Sequence, residues 1–127
     1  MKWFKKRFFK RRKANNPPMP PYSEIVQSLY DKDLSFSDGL TPVRVLYSKD
    51  KAKRFIILKS DKGFFKYTYE KIYVYDEYEW HFICNEENAC PACWLPYDYM
   101  YSYSFFGTEK DAMSALVAES DYKMYFL

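Results

Sequence analysis

At 127 residues, 48% hydrophobic and 29% charged, the chain fits one globular domain and excludes both a multidomain enzyme and a mostly disordered polymer. Tyr, Phe and Trp make up 22% of it, so its core has to be aromatic. The net charge of +3 conceals a steep gradient: residues 1–13 hold eight cations and no acid, whereas residues 72–127 hold two cations against ten acids. A basic tail and an acidic C-terminal half are separate features of the chain.

In chain order, the tail gives way to Asn15-Asn16-Pro17-Pro18-Met19-Pro20-Pro21, where clustered prolines remove backbone donors and favour an extended spacer. This divides the chain into a basic aromatic tail with a Pro-rich linker, 1–21, and a single domain, 22–127. Ser23 is placed to cap a helix reaching about Tyr30, with Ile25, Val26 and Leu29 on its apolar face. Val43–Tyr47 and Arg54–Leu58 are β-rich and flank a polar stretch, which reads as a hairpin. Ser60-Asp61-Lys62-Gly63 makes a second turn before the longest β signal, Phe64 to Tyr75. Its apolar positions change phase near Glu70-Lys71, which implies a bulge, a bend or burial on both faces.

Asp76-Glu77 then reads as a turn into a strand from Tyr78 to Cys84, followed by a polar loop at 85–88 and an irregular stretch bracketed by Pro91 and Pro96. Tyr97 to Phe106 alternates as a strand with Tyr97, Tyr99, Tyr101, Tyr103 and Phe105 on one face. Thr108 and Asp111 resemble a capping box for a helix over 109–119, whose apolar face is Ala112, Met113, Leu116 and Val117. Tyr122–Leu127 reads as a last short strand. The fold class is α+β: an antiparallel sheet of about five or six strands with an N-terminal and a C-terminal helix packed on one face.

His81-x2-Cys84-x5-Cys90-x2-Cys93 contains four residues of zinc-ligand type in two short pairs. The spacer is short for a zinc site, and a strand would point His81 and Cys84 to opposite faces. Unpaired buried cysteines are the alternative, so no cofactor is expected and structural zinc stays open. Cys90-Pro91-Ala92-Cys93 has the form of a thiol redox motif, but Pro96 interrupts the helix that such chemistry needs.

The tail interleaves the cations Lys2, Lys5, Lys6, Arg7, Lys10, Arg11, Arg12 and Lys13 with Trp3, Phe4, Phe8 and Phe9. That composition suits a solubilising extension, an anionic membrane surface or nucleic acid. Asp76, Glu77, Glu79, Glu86 and Glu87 crowd into twelve residues and suit a surface that meets a basic partner. With one histidine and three isolated glycines, the chain has neither a recognisable triad nor a phosphate-cradling loop.

These features point to a small non-enzymatic binding module, an inhibitor or immunity-type accessory protein that meets a protein partner through an acidic, Tyr-rich surface. Its carboxylates at 76, 77, 79, 86 and 87 steer, and Tyr78, Trp94, Tyr99 and Tyr101 anchor. The alternatives are a nucleic-acid-binding protein using the tail and the basic hairpin Lys49, Lys51, Lys53 and Arg54, or a peripheral membrane protein held by the tail. Three clustered cysteines make no secreted disulfide framework, the tail lacks a secretory apolar stretch, and no run has the roughly twenty apolar residues of a membrane span, so the expected compartment is the cytoplasm.

Overall fold

A computed structural model describes residues 17–32, 34, 39–97 and 104–127. The elements in chain order are α1 (Tyr22–Leu29), β1 (Thr41–Tyr47), β2 (Lys53–Lys59), β3 (Phe65–Val74), α2 (Glu77–Ile83), β4 (Ala92–Pro96), α3 (Glu109–Val117) and α4 (Ser120–Tyr125). The class is α+β, but the described residues form one antiparallel sheet of four strands, in the order β1-β2-β3-β4, where the sequence suggested five or six. Among them no helix is long and apolar enough to cross a membrane. The chain divides into two compact units: one holds the described residues up to Tyr30 together with Tyr73–Cys93, the other Asp31–Ile72 with Trp94–Leu127.

The second, the hairpin unit, is built on β1, β2 and most of β3. Between β1 and β2 the polar loop is closed by Asp50, which accepts from Ser48 Oγ at 2.6 Å and from the Ala52 amide at 3.0 Å. The next turn places Gly63 at φ +87, a left-handed conformation that a side chain would strain. From that turn β2 and β3 pair without a register shift, Lys59 against Phe65 through Lys53 against Lys71. The phase change near Glu70 is therefore no bulge: Tyr67, Thr68, Tyr69 and Glu70 are all buried, because this stretch is covered on both faces. The irregularity lies in β1 instead, between Pro42 and Arg44.

Phe55, Ile57, Tyr67 and Tyr69 line one face of the hairpin and pack with Ala112 and Leu116 of α3. The core is aromatic as composition required: Phe55 stacks on Tyr69 at 4.3 Å between ring centroids, and Phe126 lies 5.0 Å from Phe55. Thr108 caps α3 by accepting from the Asp111 amide at 3.0 Å.

Three expected elements differ. Tyr122–Leu127 is not a strand, because Ser120–Tyr125 forms α4 and stacks Tyr122 on Phe126, one helical turn apart. The stretch between the prolines is strand β4: Pro91 precedes it and Pro96 ends it, the positions where a strand tolerates proline. Tyr78–Cys84 is not a strand, because Glu77–Ile83 forms α2 with Cys84 as its C-cap. Of the aromatic ladder, Tyr97 packs against the core and Phe105 is exposed, while Tyr99, Tyr101 and Tyr103 lie outside the described residues.

In the first unit, α1 buries Ile25, Val26 and Leu29 as its spacing demanded. Ser23 is not its cap, however: the helix begins at Tyr22, two residues before the start that a Ser23 cap implies, behind Pro21, whose carbonyl accepts from the amides of Glu24 and Ile25. A second apolar cluster gathers Trp80 and Cys84 with Met19, Ile83 and Ala89.

Candidate functional site

The local sequence Asp76-Glu77-Tyr78-Glu79-Trp80 starts helix α2 through a reciprocal capping box. Asp76 accepts from the Glu79 amide at 2.8 Å, and the Glu79 carboxylate accepts from the Asp76 amide at 2.9 Å. Two orphan donors of the first turn are thereby satisfied, which overrides the β preference of the aromatic residues that follow. Glu79 also accepts from the Tyr73 hydroxyl at 2.7 Å. Its negative oxygen holds the phenol proton, and the Tyr73 pKa is pushed up to about 12.

Once the helix forms, its period sorts the side chains. Trp80 and Cys84 turn inward, and the indole Nε1 of Trp80 donates to the Pro17 carbonyl at 2.9 Å. Pro17 and Met19, in the stretch that composition marked as a linker, thus contact α2. Tyr78 and Phe82, four residues apart, turn outward at 73% and 64% exposure, with rings edge to face at 4.9 Å. The exposed carboxylates of Asp76, Glu77, Glu86 and Glu87 belong to the same helix or to the turns that flank it. In this unit the described residues include six acids and no Lys or Arg. The result is a short helix that displays two large rings within a strongly negative surrounding.

The other sequence-derived site residues are placed differently. Trp94 is no surface anchor: it is 4% exposed, and the Arg54 guanidinium stacks over its ring at 4.1 Å. Tyr99 and Tyr101 lie outside the described residues, as do the tail residues Lys2, Trp3, Lys5, Lys6, Arg7, Lys10, Arg11, Arg12 and Lys13. The basic hairpin is reduced on one side, because Arg54 is interior and Lys53 sits over the Tyr125 ring at 4.2 Å; Lys49 and Lys51 are exposed.

His81, Cys84, Cys90 and Cys93 do not converge, and among the described residues no group of three or more His, Cys, Asp or Glu could hold a metal ion. In α2, His81 is exposed while Cys84 is buried with its Sγ toward the His81 carbonyl at 3.6 Å. Burial pushes the Cys84 thiol up. The redox reading of Cys90-Pro91-Ala92-Cys93 lacks its structural premise, since Cys90 leads into strand β4 and no helix starts there. Cys93 meets the Tyr75 hydroxyl, and that hydrogen bond raises the phenol pKa.

One constellation was not foreseen. Arg54 Nε donates to Glu70 at 2.7 Å with the two side chains 1% and 0% exposed, and Arg54 also donates to the Lys32 carbonyl at 2.8 Å. The signal was available: counting back from the turn at 60–63 sets Arg54 directly opposite Glu70 in the β2–β3 ladder.

No protein-family model, curated protein or solved structure matches this chain.

Proposed function

We propose that the chain is a small non-enzymatic binding module, of inhibitor or immunity type, that docks a basic protein partner on the outer face of α2. The observation that carries this reading is the outward pair Tyr78 and Phe82, held edge to face on a capped helix whose unit has no Lys or Arg among its described residues. Exposed rings supply large contact area at low entropic cost, and they serve as the anchors of an interface. Glu77, Glu86 and Glu87 supply the field that steers a positive partner and excludes a negative one. Asp76 and Glu79 contribute indirectly, by holding the first turn of the helix.

The test is affinity capture with the full-length chain, in parallel with a Tyr78→Ala/Phe82→Ala variant and a Glu77→Gln/Glu86→Gln/Glu87→Gln variant. The reading requires one basic protein that the parent retains, that both variants lose, and whose retention falls as salt rises. Retention unchanged in both variants and abolished by nuclease would transfer the function to the basic residues and sink it.

A further inference from the structure

The exposed face of α2 has a candidate occupant within its own chain. We propose that residues 1–13 lie on the Tyr78 and Phe82 face and cover it in cis. This rests on the reading of that face as a docking surface and adds what regulates it.

Position favours this occupant. The Pro17 carbonyl is held by the Trp80 indole at 2.9 Å, and Met19 packs against Trp80 and Cys84. Pro17, to which residues 1–16 are joined, is therefore fixed to the inward side of α2, at a residue midway in sequence between Tyr78 and Phe82. At roughly 3.3–3.6 Å per residue, Lys13 stays within about 14 Å of Pro17 and Lys10 within about 25 Å. The helix itself is only about 10 Å long. Four cations, Lys10 to Lys13, are thus confined near this face at an effective concentration on the order of millimolar or above.

Charge makes the second link. The tail holds eight cations and no acid, while the unit that carries α2 has six acids and no Lys or Arg among its described residues. Chemistry makes the third. Trp3, Phe4, Phe8 and Phe9 alternate with cations in the tail as Tyr78 and Phe82 alternate with carboxylates on and after the helix, so ring–ring and cation–ring contacts are available from both sides. A basic partner then has to displace the tail, and its apparent affinity is lowered by the fraction of closed molecules.

The experiment uses a fluorescent synthetic peptide of residues 1–16 and three full-length chains, with binding read by anisotropy. The first chain is the parent. The second carries Lys2, Lys5, Lys6, Arg7, Lys10, Arg11, Arg12 and Lys13 all replaced by Gln. The third adds Tyr78→Ala, Phe82→Ala, Glu77→Gln, Glu86→Gln and Glu87→Gln to the second; Asp76 and Glu79 stay, so that the helix keeps its cap, and circular dichroism verifies the fold.

The expected result is that the peptide binds the second chain at least tenfold more tightly than the parent, whose face is already covered, and loses that affinity for the third. Zero-length carbodiimide cross-linking of the parent, mixed with isotope-labelled parent, should join lysines of 1–13 to carboxylates of 76–87 within one molecule. Equal affinity for the parent and the second chain overturns cis closure while leaving the docking face intact. Undiminished binding to the third chain, cross-links only between molecules, or no binding to any chain likewise overturns it. The docking reading stands or falls separately, on partner capture by the face variants.

Discussion

In the hairpin unit, the Arg54 guanidinium lies over Trp94, meets Glu70 at 2.7 Å and is 1% exposed; on α2, two large rings and several carboxylates face solvent. Both places set charge beside aromatic surface. Burial decides what the combination does. A charge removed from water must be matched within hydrogen-bond distance, because its desolvation costs several kcal/mol, so the Arg54 site is committed to the fold. Charges left in water cost little, and their field stays available to something outside.

The comparison breaks most visibly at Glu70. Glu70→Ala strands a buried guanidinium and should cost about 3–5 kcal/mol, measured by denaturant unfolding, whereas the apolar pair Arg54→Met/Glu70→Leu should recover most of the loss. If Glu70→Ala costs under about 1 kcal/mol, the pair is not sealed as described. Leu116→Ala, at a position with 0% exposure, should cost about 2–5 kcal/mol in the same unit through the cavity it leaves.

Asp76→Ala sharpens the other side. It removes half of the capping box and should cost about 1 kcal/mol, seen as faster hydrogen exchange of the α2 amides. The smallest effect is at Tyr73. Its raised pKa favours the neutral phenol in the folded chain, a preference fully present below the ordinary value near 10 and lost as pH rises through about 12. In a 13C-tyrosine titration Glu79→Gln should bring this one ring back toward 10, and an unmoved value would show that Glu79 is not its partner.

Most of the hairpin unit was legible because its turns announce themselves. Ser60-Asp61-Lys62-Gly63 fixes a register, and the apolar run Phe55–Leu58 declares a strand buried on both faces. The Arg54–Glu70 pair follows from that same register but demands one more step, from pairing to burial. The candidate face was misread for a local reason. Tyr78, Trp80 and Phe82 carry strong β preference, and only the Asp76-x-x-Glu79 spacing, the same signal recognised at Thr108, indicates that the chain turns helical first. α4 has no such mark: its N-cap residue, Glu119, makes no side-chain cap, and its helical state is tied to the stacking of Tyr122 on Phe126. β4 was hidden by prolines that sit just outside its first residue and at its last.

Strand order in the sheet follows strand order in the chain. For a polypeptide emerging during synthesis at roughly 5–20 residues per second, each new strand finds its neighbour already made, β2 and β3 directly and β4 after the intervening α2. Closing β1 on β2 and β2 on β3 requires only short loops, with little chain entropy lost before hydrogen bonds form. β2, five of whose seven residues are buried, is paired on both edges as soon as β3 has been made, whereas its Phe55 and Ile57 face waits for α3, synthesised last but one, before it is covered.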